Sequence, residues 1–452
     1  NYAIKELNNV YAMILCAIKD KMKIRVVGDY DVDGQISITN MMLGLEALGA
    51  EDIEFYAPKR FTDGYGLSSS IVDNFLGTEA GLLITVDNGI AALDAVDKAK
   101  ALGWKIIIID HHLPVIKDNT IIYPNADIII DPHAKAGTSN FEDYCAAGLT
   151  FKLFQYIRYV EKDRRISGTL LDKLQSFAAI GTICDSVKLI EEVGGHFVYD
   201  NWLIVKRGLE TLVQNQGRTT GLYCLLRSLN LEYKINEDNI GYTLGPVMNA
   251  VSRLNDDGAK EVVNLLLRND NNFAEMDVIA NEFKELNNRR KELTALATPA
   301  IMDEIEKNNM NNDFPIVVCT DDPNLHPGIV GIVAGRLVEE YNTPVILLAK
   351  SEVTPDIIHG SARSPEGVSI KELMDKAANH ISAESINLNY GGHASAAGIS
   401  FNKNALDNYR KVIQENAGIK PDSLNNIYYD YEILPEQVSI ETEVTKLHAP
   451  YG

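Results

Sequence analysis

Along the first third of the chain, short uninterrupted apolar runs alternate with stretches of helical periodicity. That alternation predicts a parallel, doubly wound α/β sheet. Residues 24–27, 53–57, 82–86, 106–109 and 128–130 read as strands. A helical pattern over 1–20 leads into the first of them and another, over 35–48, follows it. Helices over 142–160, 169–183 and 200–213 cover or extend the sheet. From 259 to 308 the pattern is almost entirely helical, and it stops in Asn308-Asn309-Met310-Asn311-Asn312-Asp313. An Asn-rich break after a long helix reads as a domain boundary. Beyond it, strands over 314–319 and 345–349 flank a helix over 328–341 and open a second, smaller α/β unit. No internal repeat or low-complexity tract interrupts this order.

Length and composition leave this picture in place and narrow the chemistry. At 452 residues the chain has room for two or three domains with real cores. No apolar run approaches membrane length and the first residues carry no basic-then-apolar leader, so a cytoplasmic protein without membrane contact is expected. Cys16, Cys145, Cys184, Cys224 and Cys319 are scattered in apolar surroundings. They read as reduced core residues, neither a disulfide frame nor a zinc site. A net charge of −21 argues against a broad basic face for nucleic acid. A local basic groove, or a metal site that reads phosphate, remains compatible with it.

The densest chemistry lies in Gly28-Asp29-Tyr30-Asp31-Val32-Asp33-Gly34, placed between the first strand and its helix. Three carboxylates in five residues repel one another unless a cation sits among them. The sequence also opens like an EF-hand calcium loop, but the twelfth position holds Asn40 in place of a bidentate acid, and a strand precedes it where an EF-hand has a helix. Two further strands run into Asp87-Asn88-Gly89 and Asp110-His111-His112. One such Asp is an ordinary helix N-cap; three strands ending in acids, one with paired histidines, point to a shared pocket at the ligand-binding end of a parallel sheet. Asp185 follows an apolar helix, where a carboxylate without a partner is costly. Carboxylates with imidazole and without thiolate suit Mn²⁺ or Mg²⁺. Two ions sharing a carboxylate, roughly 3.5–4 Å apart, would serve phosphoester hydrolysis.

These motifs resemble those of the DHH phosphoesterase family, most closely its single-strand-specific exonucleases. The resemblance extends to Gly245-Pro246-Val247-Met248-Asn249-Ala250-Val251-Ser252-Arg253-Leu254, which is similar to the family segment that brings an Asn and an Arg near the active site. It also extends to His326-Pro327-Gly328-Ile329-Val330-Gly331, Gly360-Ser361-Ala362-Arg363-Ser364 and Gly391-Gly392-His393 in the second unit. It implies a DHH catalytic domain over 1–265, a connecting helix over 266–312, a DHH-associated substrate-binding domain over 313–415, and an extension over 416–452 toward an oligonucleotide-binding barrel that the chain does not reach. Substrate would lie between the two domains.

The resemblance further implies that Asp31 and Asp33 each hold a different metal, that Asp87 bridges the two, that His111 and Asp185 complete the second site, and that Asp29 lies by the first. His112 would touch the scissile phosphate and Arg253 would clamp it, with Asn88 and Asn249 beside the substrate. His326, Ser361, Arg363, Gly392 and His393 would hold phosphates of the strand. The implied activity is 5′-to-3′ hydrolysis of single-stranded DNA with two Mn²⁺ or Mg²⁺ ions, in repair and recombination, with a single-strand-binding protein or helicase as possible partners. Val27, Ser252 and the segment 186–192 depart from patterns seen in parts of the family. Two alternatives stand beside this reading: a phosphodiesterase for oligonucleotides or cyclic dinucleotides, and an inactive replication scaffold.

Overall fold

A computed structural model describes residues 4–117, 120–134, 139, 141–214, 217–350, 355–382 and 386–418. The chain divides into two compact units between Asn287 and Asn288. The segment 419–452, which holds most of the expected C-terminal extension, lies outside the described residues.

The first unit is built on a parallel sheet. Strands β1 (Ile24–Val27), β2 (Ile53–Tyr56), β3 (Leu82–Val86) and β4 (Lys105–Ile109) are followed by a small antiparallel hairpin, β5 (Val115–Lys117) and β6 (Thr120–Ile122), and by β7 (Ile128–Ile130). The order is β2-β1-β3-β4-β7. Side chains alternate between two cores, as the period of two requires. Val26, Leu82, Ile84, Ile107 and Ile109 face α1 (Leu7–Lys19) and α2 (Val32–Leu48), whereas Val27, Leu83, Ile106 and Ile108 face α3 (Leu93–Ala101) and Trp104. With both faces covered, the strands must be apolar throughout, which is why they stood out as uninterrupted runs. The order reverses between β1 and β3, the place where doubly wound sheets bind ligands.

Several helix starts differ from the sequence expectation, two of them beside the acidic motifs. Helix α2 begins at Val32, because the Asp31 side chain accepts the Gly34 N–H at 3.1 Å and caps it. Asp33 therefore sits in the first turn, while Asp29 and Asp31 precede it. Gly34 is required there: a β-carbon would lie 2.6 Å from the Asp29 nitrogen. Helix α4 (Ala146–Val160) starts four residues later than expected, with Cys145 extended before it and its sulfur accepting the Gly148 N–H. Helix α5 (Gly168–Cys184), a hairpin of β8 (Glu191–Val193) and β9 (His196–Val198), and helices α6 (Asp200–Leu212), α7 (Thr220–Ser228), α8 (Gly245–Leu254) and α9 (Gly258–Leu267) complete the unit. The division between units falls inside α10 (Phe273–Lys307).

The second unit is a mixed sheet. Strands β10 (Ile316–Thr320), β11 (Val345–Lys350), β12 (Ile357–Arg363), β13 (Asn389–Gly392) and β14 (Ala396–Asn402) lie in the order β10-β11-β12-β14-β13, with only β10 and β11 parallel. Helix α11 (Val330–Tyr341) starts after a 3₁₀ turn over Pro327–Ile329, not at 328. Helices α12 (Ile370–Ala378) and α13 (Leu406–Ala417) bury Met374 and Ile413 against Phe401 and Ile399. The whole is the α/β architecture expected, parallel in its first unit.

All five cysteines are free. Cys16 is exposed, against expectation, because α1 turns Val10, Ile14 and Ala17 to the core and leaves Cys16 on the outer face. No helix among the described residues is long and apolar enough to cross a membrane.

Candidate metal centre

The C-terminal ends of β1 and β3 deliver acids, and that of β4 a histidine, to one point. Asp29, Asp33 and Asp87 are all but fully buried. His111 Nε2 lies 3.1 Å from Asp87 Oδ1, 3.8 Å from Asp33 Oδ2 and 3.7 Å from Asp185 Oδ2, so Asp185, at the C-terminus of α5, reaches the same place. Ligand atoms fall into three groups, each within 4.8 Å: Asp33, His111 and Asp185; Asp29, Asp31 and Asp87; and Asp87, His111 and His112. Asp87 belongs to two of them.

The electrostatics is that of an uncompensated anionic cluster. Burial, with the charge of Asp31, pushes the Asp29 carboxyl well above its ordinary range. Burial and then Asp33 do the same to Asp87. Asp33 is raised to about 6 and Asp185 to about 8 by burial and neighbouring carboxylates. One oxygen of Asp29 is buried without a hydrogen-bond partner. Oxygen and imidazole donors this close, mutually repelling and partly orphaned, fit hard divalent cations such as Mn²⁺ or Mg²⁺.

His112 is held differently. Its Nδ1 lies 2.7 Å from Asp110 Oδ1. Burial works against the imidazolium, but the bond to Asp110 and its charge outweigh that and raise His112 to about 9. Asp110 is itself anchored by the Ile90 N–H. Arg253, in the last turn of α8, lies within electrostatic reach of Tyr30, whose phenol is pushed up to about 12 by burial and then by Asp29. Asn249, one turn earlier, has a buried side-chain oxygen without a partner.

Asn88, expected beside the substrate, is engaged within the fold. The amide of Asn88 is consumed inside the fold: it accepts the Leu67 N–H at 3.0 Å and donates to the carbonyls of Val27 and Val86 at 3.1 and 2.9 Å. Asn88 ties β1 to β3 and to the loop after β2, and it is almost fully buried.

That loop holds residues the sequence reading passed over. Tyr65 donates to the Asp87 carbonyl at 2.8 Å and lies 3.0 Å from His112 Nδ1, and the Arg60 guanidinium stacks 3.8 Å from the Tyr30 ring centre. The signal available was an Arg and a Tyr in a Gly- and Pro-containing loop at a fourth strand end. Asp131, just after β7, is an acid at a fifth strand end; burial and Asp110 raise it to about 8.

In the second unit, Ser361, Arg363, Gly392 and His393 gather at one end of the sheet. The Arg363 guanidinium donates to Ser361 Oγ at 2.8 Å and lies against Gly331 in the first turn of α11. Arg363 pairs with Ala396, and Gly392 with Ala397, so Gly392 and His393 flank the same strand end. His326 caps the turn before α11 by accepting the Gly328 N–H at 3.1 Å.

Comparison with known proteins agrees with this geometry. The model described as "DHH family, N-terminal domain" matches residues 23–182, and that described as "DHHA1 domain" matches 313–418. The single-stranded-DNA-specific exonucleases RecJ of Salmonella typhimurium and Escherichia coli are each 31% identical to the chain, over 90% and 96% of it and 68% and 74% of their own lengths. A crystal structure of exonuclease RecJ bound to manganese superposes with a TM-score of 0.74 at 27% identity, covering 94% of this chain and 97% of that one. RecJ of Thermus thermophilus in complex with Mn²⁺ gives 0.73 at 26%, covering 93% and 56%. Motifs, fold and relatives converge: the chain belongs to the RecJ family of DHH proteins.

Proposed function

We propose that the chain is a metal-dependent exonuclease that hydrolyses single-stranded DNA from its 5′ end, serving repair and recombination in the cytoplasm. The observation that carries the reading is the sharing of Asp87 between two ligand groups, one with Asp29 and Asp31 and one with His111 and His112, while His111 also belongs to the group of Asp33 and Asp185. The names of the relatives supply the substrate class and the ion, Mn²⁺ or Mg²⁺. Bound ions would supply a water of lowered pKa and neutralise charge developing on the phosphate.

The chain's own residues do the rest. Asp29, Asp31, Asp33, Asp87, His111 and Asp185 are the ligands. His112, kept as an imidazolium by Asp110, presents a cationic donor to a phosphate oxygen. Arg253 stabilises the charge that builds there, and Asn249, with an unspent side-chain oxygen, orients the substrate beside it. Ser361, Arg363, His326, His393 and the Gly392 backbone hold phosphates farther along the strand. We assign the catalytic role to residues 1–265, a connecting role to 266–312 and substrate binding to 313–415. A single-strand-binding protein or helicase would deliver substrate.

The test is digestion of matched single-stranded, blunt duplex and dinucleotide substrates with Mn²⁺, with and without chelator. Metal-dependent release of mononucleotides from the 5′ end of the long single strand is the expected result. Equal or faster cleavage of dinucleotides would favour a small-substrate phosphodiesterase, and no cleavage of any of them an inactive scaffold.

A further inference from the structure

Asp33 is gripped from behind at the meeting of three helices. It projects from the first turn of α2 and is 2% exposed. Both oxygens accept main-chain donors from the start of α4: Ala146 N–H at 2.7 Å to Oδ2 and Ala147 N–H at 3.0 Å to Oδ1. These are orphan donors of a helix N-terminus, aimed at a carboxylate from another element. Cys145 caps that helix, and its sulfur lies 3.6 Å from Thr182 Oγ1 of α5. The third wall is Gly181 of α5. A β-carbon on Gly181 would lie 2.8 Å from Asp33 Oδ1 and 2.5 Å from the Ala147 β-carbon, closer than side chains tolerate. Asp33 thus keeps its place because one helix donates to it and another has no side chain in its way.

We infer that Gly181 and the first turn of α4 are positioning elements that fix the Asp33 carboxylate for metal binding. The inference rests on the proposed metal site. Each Asp33 oxygen accepts one N–H from the helix start, and the Cys145 side chain adds a further hydrogen bond, so the carboxylate arrives oriented. Outer partners of this kind typically govern 10–100-fold in metal affinity. Neither Gly181 nor Ala146 offers a side-chain donor, so a search by ligand type passes over both.

Gly181→Ala alone is ambiguous, because its new methyl meets Ala147 as well as Asp33. Pairing it with Ala147→Gly removes the methyl–methyl clash and leaves only the contact with the carboxylate. Ala146→Pro is independent. It deletes the 2.7 Å donor at a first helical position, where proline is well accepted. Wild type, Ala147→Gly, Gly181→Ala/Ala147→Gly and Ala146→Pro are titrated with Mn²⁺ by calorimetry, and each metal-free melting curve checks folding. The expected result is two-ion binding in wild type and Ala147→Gly, with affinity for at least one ion reduced 10–100-fold in the other two at near-unchanged metal-free melting. Wild-type binding in both of those variants overturns the positioning role and leaves the proposed function standing. Failure of wild type itself to bind Mn²⁺ overturns the metal site and the inference with it.

Discussion

The two units carry their polar residues in opposite ways. In the first, five aspartates and two histidines converge by the ends of parallel strands, mostly buried and mostly negative, with carboxyls raised by burial and by one another. In the second, an arginine, a serine and a histidine edge one end of a mixed sheet, and Arg363 spends donors on Ser361 Oγ and the Ala362 carbonyl. A cluster of the first kind stores unfavourable energy that a cation releases. A cluster of the second kind stores almost none and can only add contacts to an anion that is already bound. Loss of a residue in the first should therefore change whether chemistry happens; loss in the second should change how firmly the strand is held.

The sharpest break of that contrast is at Asp87. Asp87→Asn keeps the shape and removes the shared charge, so both ions should be lost. The effect on turnover should exceed the 10–100-fold typical of outer-sphere partners. Calorimetry with Mn²⁺ reads it directly, and unchanged two-site binding would remove Asp87 from the bridging role. Arg253→Ala comes next: turnover should fall on the order of 10²–10³-fold, as for loss of one donor to a charged transition state, while Mn²⁺ affinity stays put. Equal loss of metal binding would make Arg253 a structural residue.

A third prediction concerns stability. In the metal-free protein Asp33 titrates near 6 and Asp185 near 8, above the ordinary 3.8. The folded state therefore binds protons that the unfolded chain has already released. Their contribution to stability is full below about pH 4 and is lost as pH rises through 6 and 8. The metal-free melting temperature should accordingly be lower at pH 8.5 than at 5.5. Mn²⁺ at 100 times its Kd should add about 2.7 kcal/mol, most visibly at the higher pH. A melting temperature that climbs with pH in chelator would contradict the buried-anion account.

The smallest effect is expected in the second unit. Arg363→Ala should leave Mn²⁺ binding intact, weaken single-strand binding modestly and flatten its salt dependence by roughly 0.7 in log–log slope, one phosphate's worth. A flattening without weaker binding, or a change in metal affinity, would blur the contrast between the units.

Much of this was legible in the sequence because burial on both faces writes strands as unbroken apolar runs, and because acids at three strand ends have little reason to coincide. What stayed hidden depends on geometry across elements. Asn88 looked like part of a polar motif, yet its amide is spent on Val27, Val86 and Leu67, contacts that exist only once β1 and β3 are side by side. Asp33 was read as a loop residue because the Asp31 cap that starts α2 one residue before it depends on the turn geometry. Tyr65 carries no charge and sits in a loop with no periodicity, so nothing local announced its approach to His112.

The backbone of Asp87 has one more consequence. It is left-handed, with φ of 63°, a conformation that costs most side chains about 1–2 kcal/mol and that Asp, Asn and Gly adopt readily. Position 87 is thus under two independent demands, one on the chain's path and one on charge. Asn and Gly meet the first alone; Glu meets the second alone, with an extra methylene in a packed site. No neighbouring residue type meets both, so the position has no gradual route of change: a lineage that keeps the ions keeps this aspartate, and one that loses it has left the chemistry in a single step.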